Sequence, residues 1–380
     1  MISVTICSPE RAQAAPWDDL ARRASPNVFM NPAALRTAQS CGFADVRVLL
    51  AWDEGASPRR LVGLWALRRR VVAPLLPAIL EALPFYYAFL SSPVVDPAFA
   101  GQVMPAFLAA IERDPALPKV ITLKSLDAEA PSYAALRTAL TGKGGEQLEL
   151  KQFARPFASK DHGVKHSGAT RKKLRQDWNR LSAQGAVELL NDRSEAAASA
   201  AFEIFLALEA GGWKGKRGTA LTCDPADARF TRELIRALAA RGDASVALLR
   251  VDGKAIAAQV LMYCGTRAYT WKTGYDAKFG KFSPGALLID KLTEQLFAEG
   301  AIETIDSCSV QDSFMAQLWS GRRSMVDLVV GVGPGRSFGF AVEAARQLGI
   351  ARLRELRNRL RAFAAPRPAA PKKPAVAGQA

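Results

Sequence analysis

The chain has 380 residues, 49% hydrophobic and 23% charged, a composition of ordinary globular type with length enough for two domains. It holds 51 basic and 36 acidic side chains, and residues 346–380 alone carry nine basic against one acidic, so over half of the net +15 sits in an appendage. Such a tail attracts nucleic acid, anionic lipid or acidic proteins without specificity, and the overall pI says little about the folded part. With only His162 and His166 present, a histidine metal site or a Ser-His-Asp triad elsewhere is excluded. The five cysteines form no CxxC pair, which argues against a zinc ribbon and fits a reducing, cytoplasmic setting.

In chain order, residues 1–10 lack the basic start and apolar run of a signal peptide. Residues 16–24 open a helix, and Asn31 caps a second, with Pro32 at its first position, running to about Cys41. Strands at 46–52 and 61–68 flank the turn DEGASPRR and pair as a hairpin. Residues 71–90 are almost wholly apolar, but Pro74, Pro77 and Pro84 would break a membrane span, so they read as buried loop and short helix. A helix at 105–113, a strand at 119–126 and a helix at 132–140 follow.

The stretch 165–184 is strongly basic, and TRKKLRQDWNRLSAQG places Leu174, Trp178 and Leu181 on one helical face with Gly185 as its stop. From Val187 the order is strand, helix (195–208), loop, helix (226–241), strand (244–251), an Asp252-Gly253 turn and strand (255–264). Next comes YTWKTGYDAKFGKFSPGALLIDKLTEQLFAE: a strand, a basic glycine-containing loop and an apolar-striped helix. Lysine and glycine before a helix N-terminus make a phosphate site, through free N–H groups and the dipole; the plainer alternative is an ordinary strand-to-helix turn. A strand at 304–307, a helix near 313–319 and a strand at 325–332 complete an α/β order, which the first half repeats less fully. Residues 351–363 read as a basic helix, and 366–380 as a disordered Pro/Ala-rich tail.

The segment Thr170 to Trp319 resembles a GNAT-type acyltransferase. It is carried by the basic helix, by Glu209 with GGWKGKRGTAL, by VDGKAIAAQVLMYCGTRAYTWKTGYDAKFGKFSPGALL and by DSCSVQDSFMAQLW. More narrowly it resembles acetyltransferases involved in cellulose biosynthesis, themselves similar to Fem-type aminoacyl transferases with two GNAT lobes. NVFMNPAALRTAQ and RRLVGLWALRRR resemble the first lobe. The implied fold is α/β (α+β): two GNAT-like lobes, 1–155 and 156–340, each a mixed, mostly antiparallel sheet flanked by helices. A basic helix (341–365) and the tail (366–380) would follow. Of the usual (Q/R)xxGxG/A pyrophosphate loop only Gly285 aligns, and Gln311, Asp312, Met315 and Ala316 stand where a Gly-Asp-x-x-Tyr-Lys segment is usual.

The resemblance implies direct acyl transfer from acyl-CoA, acetyl-CoA above all, to an amine or hydroxyl acceptor, a small molecule or saccharide, without a metal. Such chemistry needs a base near the acceptor and donors on the oxyanion. Glu209 and Asp306 are the candidate bases, against readings as a helix-end charge and a capping Asp. Tyr275 is the candidate proton donor to the leaving thiolate, or a packed ring. Lys281, Phe282, Ser283, Pro284 and Gly285 form the candidate cofactor loop. Trp213, Lys214, Lys272, Asp276 and Asp312 are the candidate acceptor-binding residues; their plainer readings are core, solvated or turn positions. Cys308 reads as a small buried thiol rather than a nucleophile. A Fem-like donor would make tRNA a partner of the basic helix, and the tail offers peripheral membrane contact with no transmembrane segment.

Overall fold

A computed structural model describes residues 1–364 apart from Ala14, Gly163, Lys165, His166 and Arg336. The expected disordered tail at 366–380, and Lys165 and His166 of the basic stretch, lie outside the described residues.

The first half runs β1 (Ile2–Cys7), α1 (Pro9–Ala12), α2 (Trp17–Arg23), α3 (Pro32–Ser40), β2 (Val46–Asp53), β3 (Arg60–Arg70), β4 (Ile79–Glu81) and β5 (Val94–Val95). It continues with α4 (Ala100–Arg113), β6 (Val120–Asp127), α5 (Pro131–Gly142) and β7 (Gly145–Ser159). The second half opens with α6 (Gly168–Ser182), β8 (Val187–Leu190), α7 (Glu195–Gly211), α8 (Trp213–Lys216) and α9 (Pro225–Ala239). Then come β9 (Ala244–Val251), β10 (Lys254–Cys264), β11 (Arg267–Tyr275), α10 (Pro284–Ala298), β12 (Thr304–Asp306), α11 (Met315–Leu318), β13 (Gly321–Pro334) and α12 (Phe338–Ala364).

Local chemistry accounts for many of these boundaries. Asn31 accepts from the Ala33 N–H at 2.9 Å with Pro32 at the first position of α3, and Asp224 and Pro225 repeat the device for α9. Asp252 and Gly253 both take positive φ, as a tight turn between antiparallel strands requires, and they join β9 to β10.

Among the described residues the strands form one 13-stranded sheet, ordered β1-β2-β3-β4-β6-β13-β7-β12-β11-β10-β9-β8 with β5 on β3. It is a mixed, mostly antiparallel sheet: only β4/β6 and β11/β12 are parallel. β13, from the second half, inserts between β6 and β7. β7 carries the sheet across the middle of the chain, pairing β13 along its length and β12 at its end. The apolar core also joins the halves: Phe85 meets Phe230 and Phe29 meets Tyr269, with ring centres 5.5 and 5.9 Å apart.

Two sequence expectations change, and the longest strand was not read from the sequence. β7 was not expected: Pro156 argues against a central strand, yet here its carbonyl accepts from the Ser307 N–H. Residues 71–90 hold no helix; 71–78 are largely exposed loop, and the chain then enters β4 and a buried run. Gly185 is not the stop of α6, which ends at Ser182 with Ala183 as its C-cap.

Candidate active site

β11 and β12 run parallel for only three residue pairs, Arg267 to Tyr269 against Thr304 to Asp306. Beyond that point the Thr270 hydroxyl donates to the Asp306 carbonyl at 3.2 Å, while β11 continues to Tyr275 paired with β10 alone. The two strands therefore part, and the C-terminal half of β11 faces a cleft. In α/β sheets this end of a parallel pair is where ligands gather.

On one side of β11 stands the end of α7. Glu209 is buried there; its carboxylate accepts from the Lys214 ammonium at 2.7 Å and the Leu221 N–H at 2.9 Å. α8 turns tightly over this helix end. A Cβ on Gly215 would lie 1.7 Å from the Ala210 carbonyl oxygen, so only glycine fits. Gly274 gives β11 its close approach to α7, its virtual Cβ lying 3.3 Å from the Glu209 nitrogen. Glu209, Trp213, Lys214, Thr273 and Tyr275 thus line one cavity of about 140 Å³. Trp213 and Tyr275 remain substantially exposed at its rim.

Lys272 occupies the neighbouring stretch of β11. Its ammonium lies 4.6 Å from the Tyr87 ring centre and 5.3 Å from that of Trp271. Burial pushes its pKa down to about 8, opposed by the charge of Glu209 and helped by that of Lys214. Tyr87 comes from the first half; its hydroxyl donates to Asp227 of α9 at 2.5 Å, and its carbonyl accepts from the Trp271 indole at 2.9 Å. Burial and Asp227 hold the Tyr87 hydroxyl well above the usual phenol range.

After β11, Asp276 accepts from the Lys278 N–H at 2.9 Å and starts a 3-10 helix at Ala277–Phe282. Ser283 then takes left-handed φ, and Pro284 and Gly285 open α10. Three cations converge here. The Lys173 ammonium donates to Ser283 Oγ at 2.8 Å, while Lys281 and Arg180 sit 4.9 and 5.3 Å from the Phe282 ring centre. Lys173 and Arg180 share the buried Asp177, leaving the group net positive beside a helix N-terminus.

Asp306 is placed differently. It has no exposed surface and is bracketed by Arg155 at 3.5 Å and Arg323 at 3.0 Å, and it accepts from the Cys308 N–H at 2.8 Å. Burial raises its pKa, yet the two guanidiniums win and hold it below the usual carboxylate range. Cys308 is buried, and burial with the adjacent Asp306 charge pushes its thiol well up. Asp312 is exposed in the turn before α11 and does not line the cavity.

The structure thus gathers Glu209, Trp213, Lys214 and Tyr275 around one cavity, with Lys272 beside Glu209 and the 281–285 loop beyond the end of β11. It leaves Asp306 and Asp312 apart. Tyr87 and Asp227 escaped the sequence reading, because nothing in an apolar run or a helix's first turn marks a contact made only when the halves dock; Thr273 was read only as a strand residue.

Residues 168–313 match the acetyltransferase (GNAT) domain family. The chain carries an acyltransferase domain of the GNAT type. No curated protein matches its sequence. The crystal structure of FemX superposes with a TM-score of 0.59 at 12% identity, over 86% of this chain and 96% of that one. The C-terminal (DUF2156) domain of a putative lysylphosphatidylglycerol synthetase from Agrobacterium fabrum gives 0.52 at 13%, over 90% and 95%. A conserved protein of unknown function from Bacteroides thetaiotaomicron gives 0.50 at 12%, over 87% and 100%. At these identities the likeness establishes the fold. The superpositions span both halves of the chain, whereas the family match is confined to residues 168–313.

Proposed function

We propose that this chain moves an acyl group from a thioester of coenzyme A, acetyl-CoA above all, directly to an amine or hydroxyl of a small or saccharide acceptor. The observation that carries this reading is the parting of β11 and β12 beside the cationic N-terminus of α10. The donor's phosphates would lie against Lys281, Lys173 and the start of α10, and its acyl carbon would reach the cleft. Glu209 is the base we favour, since it lines the cavity whereas Asp306 is sealed between two arginines. Glu209 would take the acceptor's proton and Tyr275 would protonate the leaving thiolate. Lys214, Lys272, Trp213 and Thr273 would orient the acceptor, and Asp276 would hold the loop. We place the division between lobes near residues 155–156, with the first lobe closing the cleft through Tyr87. A cell-envelope saccharide precursor is the acceptor class suggested by the resemblance to cellulose-biosynthesis acetyltransferases.

A second reading replaces the donor with aminoacyl-tRNA, as in Fem-type enzymes. It draws on the exposed Arg171, Lys172, Arg175 and Arg180 of α6, beside the same loop.

The test is a thermal-shift titration with acetyl-CoA, longer acyl-CoAs and free CoA on wild type and Lys281→Ala. A ligand that binds only the native state raises its melting temperature. A dose-dependent rise that weakens in the variant supports the coenzyme A donor. No shift with any CoA at millimolar levels removes it and turns attention to aminoacyl-tRNA.

A further inference from the structure

α12 behaves as two helices in one. Its first turns pack on the sheet, where Phe340 and Ala344 join Val72, Ile79, Val120 and Val329 in a small apolar cluster. From Ala351 to Leu360 every described side chain is exposed. Leu353, Leu356 and Leu360 repeat at three- and four-residue spacing, so they share one face of this projecting segment. Arg352, Arg354, Arg357 and Arg359 surround them, against the lone acid Glu355, which pairs with Arg359.

The loop 71–78 lies beside the root of this helix. A Cβ on Gly339 would lie 3.8 Å from Pro77, and the Glu81 charge acts on Arg346 while binding Arg68 and Arg70. In this loop Val71 and Leu75 are exposed, and Leu75 takes φ 72°, a left-handed conformation unusual for a branched side chain. Arg69 and Arg70 precede it, exposed. Two separate segments thus present bare aliphatic side chains set among arginines.

We infer that the outer part of α12 and the loop 71–78 form a docking surface for an anionic phospholipid bilayer, with the helix lying in the interface. The leucines would enter the acyl boundary and the arginines would engage phosphate headgroups. Among the described residues no helix is long and apolar enough to cross a membrane, so this contact lies on the bilayer rather than through it. A second copy of the chain fits less well, because it would bring these arginine-rich faces together. A nucleic acid would use the arginines and leave the leucines bare.

The experiment is co-sedimentation of the full chain with vesicles of phosphatidylcholine alone and of phosphatidylcholine with phosphatidylglycerol, at low and high salt. The protein is expected to pellet with the anionic vesicles only, and less in high salt. Replacing Leu353, Leu356 and Leu360 with Ser should lower its partition roughly tenfold or more, and Leu75→Ser should lower it separately. These side chains are exposed, so an unchanged melting temperature confirms that the variants fold. The inference is overturned if the chain stays in the supernatant of anionic vesicles, or if the leucine variant pellets like wild type. A concentration-dependent dimer that the triple variant abolishes and anionic vesicles do not dissociate would overturn it in favour of a second copy. None of these readouts depends on the acyl donor or on catalysis.

Discussion

The Lys272 ammonium lies 4.6 Å from the centre of the Tyr87 ring, so a residue of the first half forms one wall around a charge of the second. Among the described residues no hydrogen-bond acceptor is paired with that ammonium; two aromatic faces and the field of Glu209 hold it. Under the proposed reading, this charge would meet the acceptor.

The pH dependence of stability should report this directly. The ordinary lysine value is 10.5, and burial lowers that of Lys272 to about 8. Between these values the unfolded chain binds the proton and the folded chain does not, so this group makes stability rise with pH across that window. Below it both states are charged and the burial penalty is fully present. Lys272→Met should remove the effect. The stability of wild type relative to the variant should climb by up to about 3 kcal/mol from pH 8 to 10.5, read by urea unfolding at each pH. A constant difference would place Lys272 in a solvated setting.

Glu209→Gln keeps an oxygen for the Leu221 N–H but cannot accept a proton from the acceptor. The rate at saturating substrates should fall by about 10²- to 10⁴-fold, with KM for the donor little changed. The urea midpoint should fall more modestly, since the bond to the Lys214 ammonium weakens. A full rate in this variant would exclude Glu209 as the base.

Asp306→Ala would leave Arg155 and Arg323 buried without their shared anion. Unfolding should then cost about 3–5 kcal/mol less than in wild type. Because the folded carboxyl sits below its ordinary 3.8, wild type should lose this contribution only as pH falls through that lowered value. Acid titration of the two proteins by circular dichroism checks both statements. A variant that is inactive yet as stable as wild type would restore Asp306 as a catalytic candidate.

Gly215→Val places a side chain where the Ala210 carbonyl oxygen stands. α8 must shift, carrying Trp213 and Lys214 away from the cavity. The expected cost is about 1–3 kcal/mol in stability, together with a raised KM for the acceptor. Chemical denaturation and steady-state kinetics measure the two effects.

Much of this was legible before the structure. α3 announces itself by an Asx cap and proline, and α10 by its leucine stripe. The hairpins at 46–68 and 244–264 follow from apolar strands flanking strong turns. In the candidate site, Glu209, Trp213, Lys214 and Tyr275 were named through the family resemblance, in separate roles, and the structure puts them on one cavity. What stayed hidden depends on long-range pairing. β7 alternates apolar and charged residues but contains Pro156, and only its neighbours β12 and β13 make it a central strand. Asp306 looks like an open base at a strand end until Arg155, far away in sequence, arrives to seal it.

The placement of β13 also governs how the chain comes together in time. β6 and β7 make no ladder with each other; both wait for a strand at Gly321–Pro334 to fill the gap between them. During synthesis the first half therefore leaves the ribosome with one edge of β6 and both edges of β7 unpaired, and they stay so until β12 and β13 emerge. Completion of the first half's sheet is thus tied to the birth of the second half's last strand.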